Sequence, residues 1–355
     1  MLRWWGHVRI ALDATYSVSS QPTGVAVYSR EILWGLPRRH PGGRYYFCYR
    51  PHRLLRSLEA FLPRGAARRP LLENWVPAAH IFHGLNQRVP RVAGRHRVVT
   101  TFHDLFVMTS DYSTPEFRTR FTAQAREAAN RSDLILAVSS FTASQVSGLL
   151  GIERSRIRVV HHGVFHPGQK RLFELPKRQP WILSVGAIQK RKNTGRLIRA
   201  FEGLPAGWRL MLAGAATGFG SEEILDQIAA SPRRADIEVL GYVSAQALET
   251  LYGRAAIFAF PSLDEGFGIP AIEAMAWGVP VVTSNRSALP EVTGDAAFHV
   301  DPEDVEELRF TLRTLIEQPG LRETMVQRGL AHAAQFTWDR AVDQTWTAYH
   351  ELLDR

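Results

Sequence analysis

Short apolar runs alternate with amphipathic stretches along most of the chain, and this pattern predicts an α/β protein. In the first half, the predicted strands lie at 8–13, 45–50, 98–104, 134–140 and 157–163. The predicted helices between them cover 25–36, 115–131 and 141–150. Runs of this kind are typical of a parallel sheet with helices on both faces, because both faces of each strand are buried.

The segment 166–180 interrupts the alternation with three prolines and a glycine among charged residues, as an interdomain linker does. The pattern then restarts, with strands predicted at 181–186, 209–214, 237–241, 256–261 and 279–284. Helices are predicted at about 194–203, 221–230, 244–252 and 270–277. A chain of 355 residues also exceeds what one core usually supports. We therefore expect two doubly wound, Rossmann-like domains that face a cleft at the carboxyl ends of their strands.

Composition narrows the class of protein. Cys48 is the one cysteine of the sequence, so an internal disulfide and a cysteine-based zinc site are excluded. No run approaches the ~18 apolar residues of a membrane helix. The apolar stretch in MLRWWGHVRIALD is short and interrupted, so we expect no signal peptide there. We expect a cytoplasmic protein.

The charge is unevenly distributed. Residues 1–172 carry 25 basic and 10 acidic side chains, a net charge of +15, whereas 173–355 carry 18 and 24, a net charge of −6. The two halves should therefore bind different partners. A phosphorylated ligand, nucleic acid and an anionic membrane surface all suit the basic half.

The stretch PSLDEGFGIPAIEAMAWGVPVV (261–282) has the most informative chemistry. Glu265 and Glu273 flank the sequence Gly266–Gly268, and seven residues separate the two carboxylates. Because Pro270 favours the first turn of a helix, the amides near Gly268 should lie at a helix N-terminus that attracts anions. Two carboxylates beside an anion site suit the hydroxyls of a sugar and a ribose joined by phosphates. The alternative is a helix-dipole partner at Glu273 and a solvated loop residue at Glu265.

A dinucleotide fingerprint is a second interpretation, since Gly266, Gly268 and Ala271 fit G-x-G-x-x-G/A. That fingerprint normally follows the first strand of its domain, but here it follows the fourth. The next strand, VPVVTSNRS, also lacks the acidic residue that would hold a ribose. Both observations count against a dehydrogenase.

Residues 240–302 resemble the retaining glycosyltransferases of family 4, which have the GT-B fold, and in particular their bacterial mannosyltransferase-like branch. Glu265 and Glu273 match the E-x7-E signature of that family. The resemblance extends over nearly the whole chain through VGAIQKRKN, TFHD, VSSFTASQV and PTGVAVYSREI. It implies an acceptor-side domain at 1–172, a nucleotide-sugar domain at 173–336 and a helix at 337–355 that crosses back to the first domain.

The resemblance also assigns roles in the second domain. It gives the nucleotide ribose to Glu273 and the transferred sugar to Glu265, helped by the backbone of Phe267 and Gly268. It gives the diphosphate to Arg191 and Lys192. Many family members have an arginine directly after the preceding strand's glycine, where this chain has Ala187, so the resemblance fixes the role of Arg191 less closely.

Three further positions follow from the same resemblance. His103 would reach the donor sugar, and the loop at Gly24 would lie under the diphosphate. The nucleotide base would sit near the turn that contains Tyr242 and Val243. Without the family match, QKRKN would be interpreted as a solvated basic turn.

The implied activity is transfer of a hexose from a nucleoside-diphosphate sugar to a hydroxyl, with the anomeric configuration retained. No D-x-D motif occurs in the sequence, so we expect no metal and no cofactor. The branch favours GDP-mannose as donor and a saccharide or lipid-linked acceptor in surface polysaccharide synthesis. A nucleotide-sugar epimerase of the same fold and a non-catalytic binder of nucleotide sugars or nucleic acid are the alternatives, although RYYFCYRPHR (44–53) has the alternation of a strand rather than of an RNA-binding segment.

Residues 51–62, PHRLLRSLEAFL, predict a basic amphipathic helix. Its apolar face would contain Leu54, Leu55, Leu58, Phe61 and Leu62. Arg53 and Arg56 flank this face, and Arg64, Arg68 and Arg69 follow just beyond it. Such a helix can lie on an anionic membrane, which would place the protein peripherally at its inner face, or it can cover a sheet and expose a basic edge.

Overall fold

The computed structural model describes residues 8–19, 23–91, 96–168, 172 and 177–354. These residues form two compact units. The first unit runs to Gly163 and regains the chain from Thr337 onward, and the second spans Val164–Phe336 together with Ser110–Ser113.

A parallel sheet of seven strands, in the order β3-β2-β1-β4-β5-β6-β7, forms the centre of the first unit. The order reverses between β1 and β4, so the loops that follow these two strands diverge, as at the switch point of a doubly wound sheet. The strands are β1 Arg9–Asp13, β2 Arg44–Tyr49, β3 Ala66–Pro70, β4 Ile81–Gly84, β5 Arg97–Phe102, β6 Leu134–Ala137 and β7 Ile157–Val159.

Helices cover both faces of this sheet, and two apolar clusters fill the space between the layers. The helix starts follow ordinary capping chemistry: the side chain of Ser139 accepts the amide of Thr142 at the start of α5, and Pro115 opens α4. The helices of this unit are α1 Gly24–Arg39, α2 Pro51–Ser57, α3 Phe106–Thr109, α4 Pro115–Arg131, α5 Ser140–Leu150 and, at the end of the chain, α13 Trp338–Leu353.

The helix α13 packs against α1 within the first unit. Gly35 permits this contact, because a Cβ atom at that position would lie 2.4 Å from Val342 Cγ2. At the exposed edge of the pair, Arg39 Nε donates to Asp343 Oδ1 at 2.7 Å and Arg39 Nη1 donates to Asp339 Oδ2 at 2.8 Å. The last helix therefore completes the core that β1 and α1 begin.

The second unit is built on a parallel sheet of six strands, in the order β10-β9-β8-β11-β12-β13. Its order reverses between β8 and β11. The strands are β8 Gln179–Val185, β9 Arg209–Ala213, β10 Ile237–Gly241, β11 Ala255–Phe260, β12 Val281–Ser284 and β13 Ala297–Val300. The helices are α6 Thr194–Glu202, α7 Ser221–Ala230, α8 Ala245–Arg254, α9 Ile269–Ala276, α10 Leu289–Thr293, α11 Val305–Glu317 and α12 Pro319–Ala333.

One arginine joins the ends of two helices in the second unit. The guanidinium of Arg178 donates to the carbonyls of Tyr252 and Ala255 at the end of α8, and to those of Trp277 and Gly278 at the end of α9. The last carbonyls of a helix have no partner within it, and a cation there also interacts favourably with the helix dipole. Burial lowers the pKa of Arg178 to about 10, so the group remains charged at neutral pH.

The structure departs from the sequence-based elements in three respects. It contains the helices α11 and α12, which the sequence pattern did not predict. It also contains the strands β3, β4 and β13, which the apolar pattern did not indicate. The helix expected over 51–62 ends at Ser57, and the chain continues in tighter turns that divide its apolar residues between core and solvent. Among the described residues, no helix combines the length and the apolar character needed to cross a membrane.

We predict that Arg178→Met destabilises the second unit by about 2–4 kcal/mol, because buried carbonyls lose their donors and each unsatisfied group costs about 1–3 kcal/mol. Arg178→Lys should recover less than half of the loss, since an ammonium cannot reproduce the planar fork. Urea unfolding together with amide exchange at the ends of α8 and α9 measures the effect. The matched control is Arg209→Met, which removes an exposed pair with Glu238 and should cost under about 1 kcal/mol. Equal losses in the two variants would contradict the prediction.

Candidate functional site

A buried carboxylate between two cations lies at the switch point of the second sheet. Lys192 Nζ lies 2.5 Å and Arg191 Nη1 lies 3.0 Å from the same oxygen, Glu265 Oε1. Arg191 and Lys192 follow β8 and Glu265 follows β11, the two strands between which the order reverses. Glu265 is only 8% exposed. The three side chains named from the sequence therefore form one cluster at the edge where doubly wound sheets bind ligands.

Backbone contacts hold the two loops of this cluster together. The amide of Leu263 donates to the carbonyl of Arg191 at 2.9 Å, and the guanidinium of Arg191 donates to the carbonyl of Asp264. Behind them, the side-chain amide of Asn193 donates to the carbonyls of Pro261 and Pro302 at 3.0 and 2.6 Å. The basic turn is thus a built part of the site rather than a solvated loop.

Opposing effects act on the ionisation of Glu265. Burial raises the pKa of Glu265, but the charges of Arg191 and Lys192 and the hydrogen bond from Lys192 lower it by more. The net result is a pKa of about 2. The ammonium of Lys192 also lies 4.5 Å from the centre of the Phe260 ring, a favourable cation–π distance. The carboxylate is therefore charged at any physiological pH.

The glycine-rich loop after β11 leads into the N-terminus of α9. Gly268 has φ +99° as the residue before the helix, and a Cβ there would lie 2.6 Å from Leu289 Cδ2, so only glycine fits. The ring of Phe267 is buried and lies edge-to-face against Phe336, with ring centres 5.8 Å apart. The buried ring leaves only the backbone of Phe267 for the predicted contact with the donor sugar, and that contact remains a prediction.

Glu273 is held by a residue that the sequence analysis did not single out. Tyr252 donates its hydroxyl to Glu273 Oε2 at 3.0 Å. Burial raises the pKa of Glu273 to about 7, and the bond from Tyr252 opposes that rise. Because α9 begins at Ile269, Glu273 lies in the second turn of the helix. The helix dipole acts mainly on the first turn, so this position disfavours the alternative that Glu273 is only a dipole partner.

The turn assigned to the nucleotide base lies at the edge of the second sheet. Tyr242 and Val243 follow β10, the edge strand, after Gly241 at φ +66°. The side chain of Tyr242 is 43% exposed, which leaves an aromatic face accessible to a planar base. Contact with a base remains a prediction at these two residues.

Two of the site residues predicted from the sequence, Gly24 and His103, lie in the first unit. Gly24 is the exposed first residue of α1. His103 follows β5 and is buried: its Nε2 lies 3.0 Å from the carbonyl oxygen of Leu85 and its Nδ1 lies 3.4 Å from His162 Nε2. Burial lowers the pKa of His103 to about 4, so the ring is neutral. Nε2 then carries the proton donated to Leu85, and Nδ1 accepts from His162.

These contacts bear on the predicted role of His103. Both ring nitrogens have partners within the first unit, so a sugar hydroxyl would have to replace one of them. The Tyr28 ring lies edge-on to both imidazoles, with centres 4.8 Å from His103 and 5.0 Å from His162. The neighbouring His83 is an ordinary buried histidine, bonded to Tyr349 and Thr101. Across the described ranges, no group of three or more His, Cys, Asp or Glu side chains is placed to hold a metal ion.

Comparison with known proteins gives the family. The family model "Glycosyl transferases group 1" matches residues 168–332, and "Glycosyltransferase Family 4" matches residues 22–165. O-antigen chain mannosyltransferase B of Escherichia coli is 34% identical over 286 residues, which cover 77% of this chain and 74% of that protein. The chain belongs to the family 4 type of glycosyltransferases. Two Rossmann-like units with parallel sheets agree with the GT-B fold of that family.

Solved structures support the fold of this glycosyltransferase. Sucrose-phosphate synthase from Thermosynechococcus elongatus has a TM-score of 0.79 at 18% identity, over 98% of this chain and 99% of that one. HepE from Anabaena, solved in complex with UDP and glucose, has a TM-score of 0.70 at 18% identity, over 96% and 99% of the two chains.

Sequence reasoning missed the residues that position the candidate site residues of this glycosyltransferase. Tyr252 holds Glu273, and the hydroxyl of Ser287 accepts the amide of Glu265 at 3.0 Å. His162 contacts His103. Each of these partners is more than 20 residues away in the chain and carries no motif, so only the fold brings it to the site. For His162, the adjacent pair His161–His162 was the one feature of the sequence that could have drawn attention to it.

We predict that the affinity of the glycosyltransferase for its nucleotide sugar rises with pH through about 7 and then levels off. Glu273 has a raised pKa of about 7, so its carboxylate, the form that accepts two ribose hydroxyls, is lost as the pH falls below that value. Glu273→Ala should weaken binding by about 1–3 kcal/mol, and Glu273→Gln should abolish the pH dependence. Titration calorimetry at about pH 5.5 to 8.5, roughly one to two pH units either side of the midpoint, is the test. It measures both the pH dependence of the affinity and the loss in each variant.

Tyr252→Phe should move that midpoint to higher pH, because it removes the hydrogen bond that stabilises the carboxylate. Tyr45→Phe makes the same chemical change at a buried tyrosine of the first unit and should leave the midpoint in place. A pH-independent affinity in the unsubstituted protein would exclude Glu273 as the ribose ligand.

We also predict that Arg191→Met and Lys192→Met each lower kcat more than the affinity for the free nucleoside diphosphate, because charge accumulates on the leaving group in the transition state. Each single variant leaves Glu265 one cation. The double variant strands a buried carboxylate, which costs about 3–5 kcal/mol, and adding Glu265→Gln should restore the melting temperature but not the activity. Lys190→Met, at an exposed position of the same turn, is the control and should behave as the unsubstituted protein.

Proposed function

We propose that the protein is a retaining, metal-independent mannosyltransferase. It transfers mannose from GDP-mannose to a hydroxyl of a saccharide or lipid-linked acceptor in surface polysaccharide synthesis. The Escherichia coli relative named O-antigen chain mannosyltransferase B supports both the sugar and the kind of pathway.

The observation that carries the proposal is the placement of Arg191 and Lys192 against Glu265 at the switch point. A nucleotide sugar presents an anionic diphosphate directly beside a neutral, hydroxyl-rich ring. The cluster offers the matching pair of chemistries, two cations beside one carboxylate, next to the N-terminus of α9.

In the proposed reaction, the bond between the anomeric carbon and the diphosphate oxygen breaks while the acceptor oxygen bonds to that carbon on the same face. The acceptor proton passes to the leaving phosphate oxygen. Arg191, Lys192 and the amides at Gly268 stabilise the charge that develops on the diphosphate. Glu265 orients the sugar through its hydroxyls, and Glu273 orients the ribose. No nucleophile of the enzyme takes part in this scheme.

The acceptor domain in this proposal is the first unit, whose sequence is strongly basic. We propose that the protein works in the cytoplasm with peripheral contact to an anionic membrane, which would present a lipid-linked acceptor. The net charge of +15 over residues 1–172 supports this contact, because each basic residue near such a surface contributes about 1 kcal/mol.

A donor screen followed by product analysis tests the proposal. We expect GDP-mannose to raise the melting temperature more than UDP-glucose or UDP-N-acetylglucosamine, and to be hydrolysed slowly without acceptor. With an acceptor, NMR should show an α-linked mannose, and a chelator should leave the rate unchanged. Selective stabilisation by a UDP-sugar would replace the donor assignment, and activity that needs added manganese would contradict the metal-free scheme.

The same screen separates the alternatives. Inversion at C2 of a sugar that stays on its nucleotide would identify an epimerase. Binding without hydrolysis or transfer to any acceptor would identify a non-catalytic binder.

A further inference from the structure

The segment after α2 displays a row of large apolar side chains to solvent. From Leu55 onward the backbone bonds connect residues three apart: Leu58 N to Leu55 O at 3.0 Å, Glu59 N to Arg56 O at 3.3 Å and Ala60 N to Ser57 O at 3.0 Å. Three residues per turn bring every third side chain to the same side. The segment therefore has three distinct rows of side chains.

The three rows have different environments. One row, Leu54, Ser57 and Ala60, faces the core of the first unit. The second row, Leu55, Leu58 and Phe61, faces solvent with exposures of 80%, 62% and 79%. The third row is Arg53, Arg56 and Glu59. Leu54 and Leu55 belong to α2, and the tighter turns that follow it keep Ala60 with the core row and leave Leu58 and Phe61 exposed.

An aromatic pair extends the exposed row. The ring of Phe61 stacks on Trp34 of α1, with centres 6.0 Å apart and planes 16° from parallel. Trp34 is itself 44% exposed. We call Trp34, Leu55, Leu58 and Phe61 the apolar ridge. Isolated exposed apolar residues are common, but three exposed apolar side chains within seven residues, one of them stacked on an exposed tryptophan, indicate an interaction surface.

The charge around the apolar ridge is positive. Arg56 and Arg64 are exposed beside it and Arg53 is partly buried, while Glu59 is the one acidic residue in 51–64. Two copies of the chain that met through this ridge would bring the same arginines together across a twofold axis, which is unfavourable. The combination of protruding leucine, phenylalanine and tryptophan side chains with a basic border fits an anionic lipid surface, whose fluid interior accepts protruding side chains without a shaped groove.

We propose that the apolar ridge inserts into the headgroup region of an anionic bilayer, with Arg53, Arg56 and Arg64 contacting lipid phosphates. This assignment deepens the membrane contact of the proposed function by naming the side chains that enter the lipid. It does not depend on which sugar is transferred.

Sedimentation with lipid vesicles at low salt tests the ridge. The full chain should bind vesicles of phosphatidylcholine mixed with phosphatidylglycerol, and should bind pure phosphatidylcholine vesicles much more weakly. Leu55→Ser/Leu58→Ser/Phe61→Ser should weaken binding at least about tenfold. Arg53→Ser/Arg56→Ser should weaken it about 25-fold, since one basic residue near the surface is worth about 1 kcal/mol, or roughly fivefold.

Matched controls come from the second unit. Leu225→Ser/Phe310→Ser removes exposed apolar side chains elsewhere and should leave vesicle binding unchanged. Unchanged melting temperatures and unchanged hydrolysis of the nucleotide sugar by the ridge variant show that its fold and donor site are intact, so a failure of the ridge is separable from a failure of the proposed function. Absence of vesicle binding by the unsubstituted chain, or binding that the ridge variant retains, overturns the proposal. A dimer in solution that the ridge substitutions dissociate also overturns it, and assigns the ridge to contact between copies.

Discussion

The second unit is organised around the burial of one carboxylate. Taking the charge of Glu265 out of water is costly, and the cost is tolerable only because Arg191 and Lys192 lie within 3.0 Å of it. That requirement holds the loops after β8 and β11 against each other. It accounts for the hydrogen bonds between them, from the amide of Leu263 to the carbonyl of Arg191 and from the Arg191 guanidinium to the carbonyl of Asp264. Asn193 and the contact of the Glu265 amide with Ser287 add hydrogen bonds to these loops, and Gly268 lets the loop after β11 pass close to Leu289.

The same arrangement shows how a doubly wound sheet produces a binding site. Where the strand order reverses, adjacent loops leave in opposite directions and no helix covers the strand ends. In the second sheet this point lies between β8 and β11, and the charged cluster occupies it. The helix end at Gly268 adds oriented amides without adding a charge that would need a partner.

The elements and residues that could be predicted from the sequence are those whose signals are local. Strands such as 134–137 stand out as apolar runs, and Glu265, Glu273, Arg191 and Lys192 lie in motifs that span only a few residues. The strand β3, with the sequence AARRP, lies at the edge of the sheet next to β2 and has no alternation of apolar and polar residues to mark it. The turns after Ser57 escaped prediction for a related reason: α-helical and 3₁₀ spacing differ by little over so few residues, and packing against the core decides between them. Tyr252, Ser287 and His162 required the tertiary fold itself.

The return of α13 to the first unit has a consequence for biosynthesis. Val342 fills the space left by Gly35, and the hydroxyl of Tyr349 lies 2.6 Å from the buried Nδ1 of His83, so the first core lacks essential parts until residues 337–354 exist. The second unit, by contrast, is continuous in sequence apart from Ser110–Ser113. At about 5–20 residues per second, the ribosome needs on the order of ten seconds or more to make the intervening segment. During that interval the side of α1 at Gly35 lacks its cover, and the half of the protein that is synthesised first cannot complete its core until the last helix has been made.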